Sequence, residues 1–120
     1  MTQNLRIALA QMNFTVGDIA GNMARVMDAA QKADAQGADL IVFPEMALTG
    51  YPPEDLVFKS IFQIAAMDAV KQVAEACKGL HCAILVGGLR SKTGHIYNSS
   101  FLIEQGKVLC MQDKRSLPKA

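Results

Sequence analysis

The sequence predicts an α/β fold in which helices alternate with a largely parallel sheet that ends in a hairpin. Two apolar runs without polar alternation, residues 40–43 and 81–87, are typical of strands buried on both faces. The segments before each run repeat apolar residues at helical spacing. The predicted order is therefore β-α-β-α-β-β-β, with two right-handed crossovers at its start.

The first strand is predicted at residues 5–11, and the first helix follows a turn. Asn22 is expected to cap this helix, which runs to about Gln36. Gly37 can end it in the left-handed conformation. The apolar face of the helix consists of Met23, Val26, Met27, Ala30 and Ala33. Their spacing of three and four residues predicts one face buried against the sheet.

The second strand, residues 40–43, stops at Pro44 because proline cannot donate to a sheet ladder. A long loop is predicted from there to about Lys59, with a short helical turn around residues 54–58. Loops of this length inside compact domains are usually functional. A second helix is predicted over residues 60–78, and its apolar face consists of Phe62, Ala66, Ala69, Val70, Val73 and Cys77.

The third strand is residues 81–87, and residues 88–94 are predicted to form a loop. Two further strands, residues 96–103 and 107–112, are joined by a hairpin signal at residues 104–106. Two helices can cover only one face of such a sheet. We therefore expect the 120 residues to be the N-terminal portion of a larger α/β domain whose remainder is absent.

Composition limits the classes of partner. Net charge is +1, and no basic cluster favours nucleic acid or a membrane surface. No apolar run approaches the length of a membrane span. The three cysteines form no CxxC pair, which suits a reducing compartment and predicts a cytoplasmic protein. Mean hydropathy is +0.18, which favours either a sheet buried on both faces or an apolar surface that a partner covers.

Glu45 and Lys114 are the candidate catalytic residues. Glu45 comes directly after a strand that Pro44 ends, and open α/β sheets bind ligands at that edge. Lys114 follows the fifth strand. A carboxylate and an ammonium there could act as a general base and as support for an oxyanion. The alternative for Glu45 is a surface acid that forms a salt bridge or caps the next turn, and the alternative for Lys114 is a solvated lysine at a charged strand end.

The other reactive side chains are three cysteines and two histidines. Cys77, Cys82 and Cys110 are all predicted to be small core residues, because each lies on an apolar face or within a strand. His81 and His95 have no metal-ligand spacing, so no metal site is expected.

Short motifs in order along the whole chain resemble the nitrilase, or carbon–nitrogen hydrolase, superfamily. They are residues 8–13, Gly17-Asp18, Asn22, Phe43-Pro44-Glu45, residues 48–51, Gly87-Gly88, Tyr97-Asn98-Ser99, Gly106-Lys107, Lys114 and Leu117-Pro118. The string over residues 49–56 is more selective. It looks like the N-terminal glutaminase domain of bacterial glutamine-dependent NAD synthetases.

The resemblance implies a nitrilase-like αββα sandwich, four-layered (αββααββα) when two subunits pair, and hence a homo-oligomer. It also implies a Glu-Lys-Cys triad that releases ammonia from L-glutamine, with Glu45 as general base and Lys114 as oxyanion support. The ammonia would pass to a synthetase domain that uses ATP, Mg and deamido-NAD. The glutaminase domain itself would need no cofactor.

Two positions depart from the family pattern. The family's nucleophilic cysteine lies beyond residue 120, and Ala120 stands where the family has a substrate-contacting tyrosine. The isolated chain is therefore expected to be inactive. The alternatives are part of a stand-alone amidase or nitrilase, and a non-catalytic association module.

Overall fold

The computed structural model describes residues 4–50 and 58–116, and these contain the seven predicted elements in the predicted order. The helices are α1 (Ile19–Ala35) and α2 (Ser60–Ala76). The strands are β1 (Ile7–Leu9), β2 (Leu40–Val42), β3 (Ala83–Lys92), β4 (His95–Glu104) and β5 (Lys107–Ser116). They form a sheet of order β1-β2-β3-β4-β5. β1, β2 and β3 run parallel to one another, and β4 is antiparallel to both of its neighbours, β3 and β5.

Both helices pack on one face of this sheet. The residues that face them align in a row across all five strands: Ala8, Ile41, Ile84, Ile103 and Val108. Against this row, α1 buries Val26 and Ala30, while α2 buries Val70 and Val73. The predicted apolar faces of both helices are thus confirmed as the core.

The opposite face of the sheet carries a second row, which we call the outer row. It consists of Leu9, Val42, Leu85, Leu102 and Cys110. Leu9 is 70% exposed, and none of the five residues belongs to the clusters in which α1 and α2 pack. The prediction that Cys110 is a core residue is therefore wrong, because its side chain is exposed there. Cys77 and Cys82 are buried as expected.

The predicted start of α1 is also wrong. The helix begins at Ile19, and its N-cap is Asp18, whose carboxylate accepts a hydrogen bond from the Gly21 N–H at 3.0 Å. Asn22 instead lies one turn inside the helix and is fully buried. The predicted C-terminal end is confirmed, since Gly37 has φ of +84°.

The loop predicted at residues 88–94 is mostly strand. β3 continues to Lys92, and Thr93 and Gly94 make a two-residue hairpin turn with φ of +49° and +78°. Positive φ at both positions matches the twist of the flanking strands. β5 extends to Ser116, and β1 is shorter than predicted. The helical turn predicted at residues 54–58 falls largely outside the described residues.

The described part of the chain contains no helix long and apolar enough to cross a membrane.

Candidate functional site

Glu45 lies just beyond the carboxyl end of β2, where the sequence places it. Its side chain is 44% exposed and forms part of the wall of an open recess of about 180 Å³. The recess is lined by Met12, Asn13, Phe14, Pro44, Glu45, Met46 and Ala47. A carboxylate in this position can reach a small molecule in the recess while remaining in contact with water.

The loop that carries Glu45 is held in an unusual conformation. Met46 is fully buried with φ of +56°, a region that costs about 1–3 kcal/mol for a residue other than glycine. Its carbonyl accepts hydrogen bonds from the N–H groups of Thr49 and Gly50, and Leu48 N–H donates to Gly87 O at 3.2 Å. These bonds and the burial of Met46 offset the strain and fix the direction of Glu45.

Gly87 allows this loop to lie directly on the sheet. A Cβ at Gly87 would lie 2.5 Å from Met46 N and 3.3 Å from Glu45 Cα. Because side chains alternate along a strand, this Cβ would point to the same face as Leu85, which belongs to the outer row. The site therefore lies at one end of the uncovered face.

Lys114 lies beside Glu45, with 3.9 Å between Lys114 Nζ and Glu45 Oε2. A register shift brings it there: Ser99 pairs with Asp113 and Asn98 with Arg115, so Lys114 is an extra residue in β5. Such bulges redirect side chains and are frequent near active sites. Both side chains are nearly half exposed, and an exposed pair of this kind contributes about 0–1 kcal/mol. Stability alone therefore gives little reason for the pairing.

Asn98 lies in the motif Tyr97-Asn98-Ser99, but the sequence assigned it no role at the site. Its Nδ2 donates to Glu45 Oε1, and its side chain is 1% exposed. The available signal was the polar run of Asn98, Ser99 and Ser100 in the middle of an otherwise apolar strand. Glu45 thus has one oxygen bound to Asn98 and the other directed toward Lys114.

A neighbouring polar group fixes β5 next to the bulge. Asp113 accepts hydrogen bonds from Ser99 Oγ at 2.6 Å and from an Arg90 guanidinium N–H at 3.0 Å. The bond from Ser99 lowers the pKa of Asp113, and the charge and hydrogen bond of Arg90 act in the same direction. Asp113, the residue before Lys114, is therefore ionised near neutral pH. Its two hydrogen bonds connect β5 to β3 through Arg90 and to β4 through Ser99.

The three cysteines are not near Glu45. Cys77 and Cys82 lie at the other end of the parallel strands, and burial raises the pKa of both thiols, which disfavours the reactive thiolate. Cys110 precedes Lys114 by four residues, roughly 13 Å along an extended strand. His81 pairs with Asp39 at 2.8 Å, at the end of β3 distant from the recess.

The described residues contain no group of three or more His, Cys, Asp or Glu side chains that could hold a metal ion.

The sequence matches the carbon-nitrogen hydrolase family over residues 6–120. Its curated relatives include a glutamine-dependent NAD(+) synthetase of Thermotoga maritima, 36% identical over 97% of this chain. The synthetase of Rhodobacter capsulatus is 40% identical over 98% of the chain. These matches cover 20% and 21% of the two relatives, so the chain spans about a fifth of their length.

Solved structures give the same relationship. A glutamine-dependent NAD(+) synthetase from Cytophaga hutchinsonii superposes with a TM-score of 0.86 at 27% identity, over 95% of this chain and 19% of that one. An amidase from Nesterenkonia sp. superposes with a TM-score of 0.76 at 26% identity, over 92% of this chain and 42% of the amidase. Another structure of the Nesterenkonia amidase carries a covalent adduct at its active site cysteine. The sheet and helices described above are therefore part of a nitrilase-like fold.

Proposed function

Because this chain belongs to the carbon–nitrogen hydrolase family, we propose that it is part of the glutaminase of a glutamine-dependent NAD synthetase. The observation that carries the proposal is the position of Glu45. It stands at the carboxyl end of a parallel strand, with one oxygen bound by Asn98 and the other facing Lys114. A base oriented in this way, next to a cation, suits hydrolysis of an amide.

In the proposed reaction, Glu45 takes the proton of a cysteine thiol as the sulfur attacks the side-chain carbonyl carbon of L-glutamine. The Lys114 ammonium stabilises the oxyanion that forms. When the C–N bond breaks, Glu45 returns the proton to the nitrogen, which leaves as ammonia. A water molecule, deprotonated by Glu45, then attacks the γ-glutamyl thioester. Glutamate is released, and the proton returns to the sulfur.

The nucleophile in this proposal comes from a later segment of a longer parent protein. The geometry supports this source because Glu45 and Lys114 lie at the edge of the uncovered face, while the chain's own cysteines are distant or buried. A segment that packs on the outer row would also exclude water from Leu9 and its neighbours. The same packing would bring a cysteine next to Glu45.

The rest of the proposed parent receives the ammonia. A synthetase domain would use it to convert deamido-NAD to NAD with ATP and Mg, so the glutaminase part needs no cofactor of its own. We further propose a cytoplasmic homo-oligomer, in which pairing of two copies would build the four-layer αββααββα assembly.

The proposal is tested in the full-length synthetase by replacing Glu45 with Gln. Loss of a general base lowers the rate about 10²–10⁴-fold, so glutamine-driven NAD formation should fall by this factor. NAD formation from ammonium should stay within about threefold, because a supplied nucleophile bypasses the base. Glu75→Gln on α2 is the matched control and should change neither rate. Equal loss with both nitrogen sources would refute the assignment of Glu45.

The similarity to an amidase supports a second candidate, in which the parent is a stand-alone amidase acting on another small amide. A substrate panel separates the two, since the first candidate requires glutamine to be preferred over simple aliphatic amides. A non-catalytic association module, the third alternative, would hydrolyse none of them.

A further inference from the structure

Two asparagines, Asn22 and Asn98, are fully buried in the described part of the chain, and their hydrogen-bonding surroundings differ. Asn22 is satisfied at both ends of its amide: Oδ1 accepts from Thr15 N–H at 2.9 Å, and Nδ2 donates to the carbonyls of Thr15 and Leu48. It therefore joins α1 to the two loops beside the recess. This is the pattern of a structural asparagine, because buried polar atoms in folded proteins are normally paired.

Asn98 is paired on one side only. Its Nδ2 donates to Glu45 Oε1, while its buried Oδ1 has no hydrogen-bond partner among the described residues. A buried polar atom left unpaired costs about 1–3 kcal/mol. The amide cannot turn around to avoid this cost, since Oδ1 would then face the Glu45 carboxylate with no proton between them. Asn98 is thus oriented so that its Nδ2 binds Glu45, while its Oδ1 has no hydrogen-bond partner among the described residues.

We infer that Asn98 is a positioning residue for the base: it occupies Oε1 of Glu45 and leaves Oε2, the oxygen facing Lys114, to accept the proton. This inference rests on the proposed glutaminase function. Its physical basis is that a carboxylate oxygen which already accepts a hydrogen bond is less available to take a proton. One oxygen of Glu45 is then left to point toward the reacting thiol.

The charges around Glu45 make this a measurable effect. Lys114 on β5 is the charged group that faces Glu45 in the described part of the chain. The side chains facing it from β4 and from the recess wall, Asn98, Met12, Asn13 and Phe14, are neutral. A change at Asn98 should therefore act on Glu45 directly.

The test measures glutamine-driven NAD formation against pH in the full-length synthetase with Asn98→Leu, Asn98→Asp and Asn22→Leu. The lost hydrogen bond to a charged group predicts a rate roughly 10- to 150-fold lower in Asn98→Leu, with the KM for glutamine within about threefold. The acidic limb of the pH–rate profile should also move to higher pH, because the ionised form of the base has lost a donor. Asn98→Asp should move it further in the same direction, since a like charge then faces Glu45.

Asn22→Leu is the matched control, because it also leaves buried groups unpaired but does not touch Glu45. It should lower the melting temperature and leave the acidic limb in place. The melting temperature of each variant reports whether the glutaminase part is folded, and the ammonium-driven rate reports whether the synthetase domain is intact. A limb that stays in place in both Asn98 variants while Glu45→Gln still abolishes the glutamine-driven rate would overturn the inference alone. A Glu45→Gln variant with full activity would overturn the proposed function itself.

Discussion

Gly87 is a position at which one added methyl group should impair the proposed glutaminase reaction. The new Cβ in Gly87→Ala would lie 2.5 Å from Met46 N and 3.3 Å from Glu45 Cα. Carbon and nitrogen atoms in contact need about 3.5 Å, so the loop that carries Glu45 must retreat by roughly 1 Å. Both contacts are with backbone atoms, so no side-chain rotation can relieve them.

A displacement of about 1 Å in a reacting group can lower a rate roughly 10²-fold, which is the loss expected for glutamine-driven NAD formation. The strained packing should also lower the free energy of unfolding by about 1–3 kcal/mol. The assay compares glutamine-driven and ammonium-driven rates in the full-length protein. The ammonium-driven rate should remain within about threefold, since the proposed synthetase domain does not use this loop.

Gly88→Ala is the matched control, one residue further along β3. Its Cβ would meet the side chains of Phe101, Leu48 and Val70 at 3.4, 3.7 and 3.8 Å, which are ordinary contacts. It should change the glutamine-driven rate by less than about threefold, because no backbone atom of the loop has to move. A folded Gly87→Ala variant with an unchanged rate, or an equal loss in both variants, would refute the reasoning.

Three further predictions concern the 120-residue chain itself. It should release no ammonia from glutamine, because no cysteine lies near Glu45; ammonia release that is lost when Cys77, Cys82 or Cys110 is changed to Ser would contradict this. It should self-associate at micromolar concentration through the outer row, because leaving about 400 Å² of apolar surface exposed loses about 10 kcal/mol of burial free energy. Light scattering should detect the association, and Leu9→Lys should weaken it. A stable monomer would contradict this prediction. The hydrogen bond and charge of Asp39 raise the pKa of His81 above 6.5, so this pair stabilises the fold below pH 6.5 and the contribution is lost as pH rises through the raised pKa. The urea midpoint should therefore fall less between about pH 5.5 and about pH 8.5 in His81→Gln than in the unmodified chain, and an identical pH dependence would argue against the pair.

Local signals in the sequence determined the elements. The helical periodicity of Val26 and Ala30 and the apolar run ending at Phe43 each involve neighbouring residues, so element type and order could be predicted without knowing the partners. Pro44 determined where β2 stops, and Gly37 where α1 ends. The position of Glu45 at the edge of the sheet follows directly from these signals.

Boundaries were less predictable where two local signals compete. Asp18 and Asn22 are both good helix caps, and the burial of Asn22 against Thr15 and Leu48 decided between them. In the same way, the pair Gly87 and Gly88 is typical of a turn, and a loop was predicted to begin at Gly88. Here they lie within β3, because the strand pairs with β4 along its whole length and the loop after β2 needs the space at Gly87.

The tertiary structure alone decided how the site is assembled. Asn98 is 53 residues from Glu45 in sequence, and its contact with Glu45 depends on the register of β3 against β4. Lys114 reaches Glu45 because of the register shift between β4 and β5, which no local sequence pattern predicts. Residue types and short-range spacing set which side chains were available. Pairing between distant strands set which of them meet, because register depends on the packing of the whole sheet.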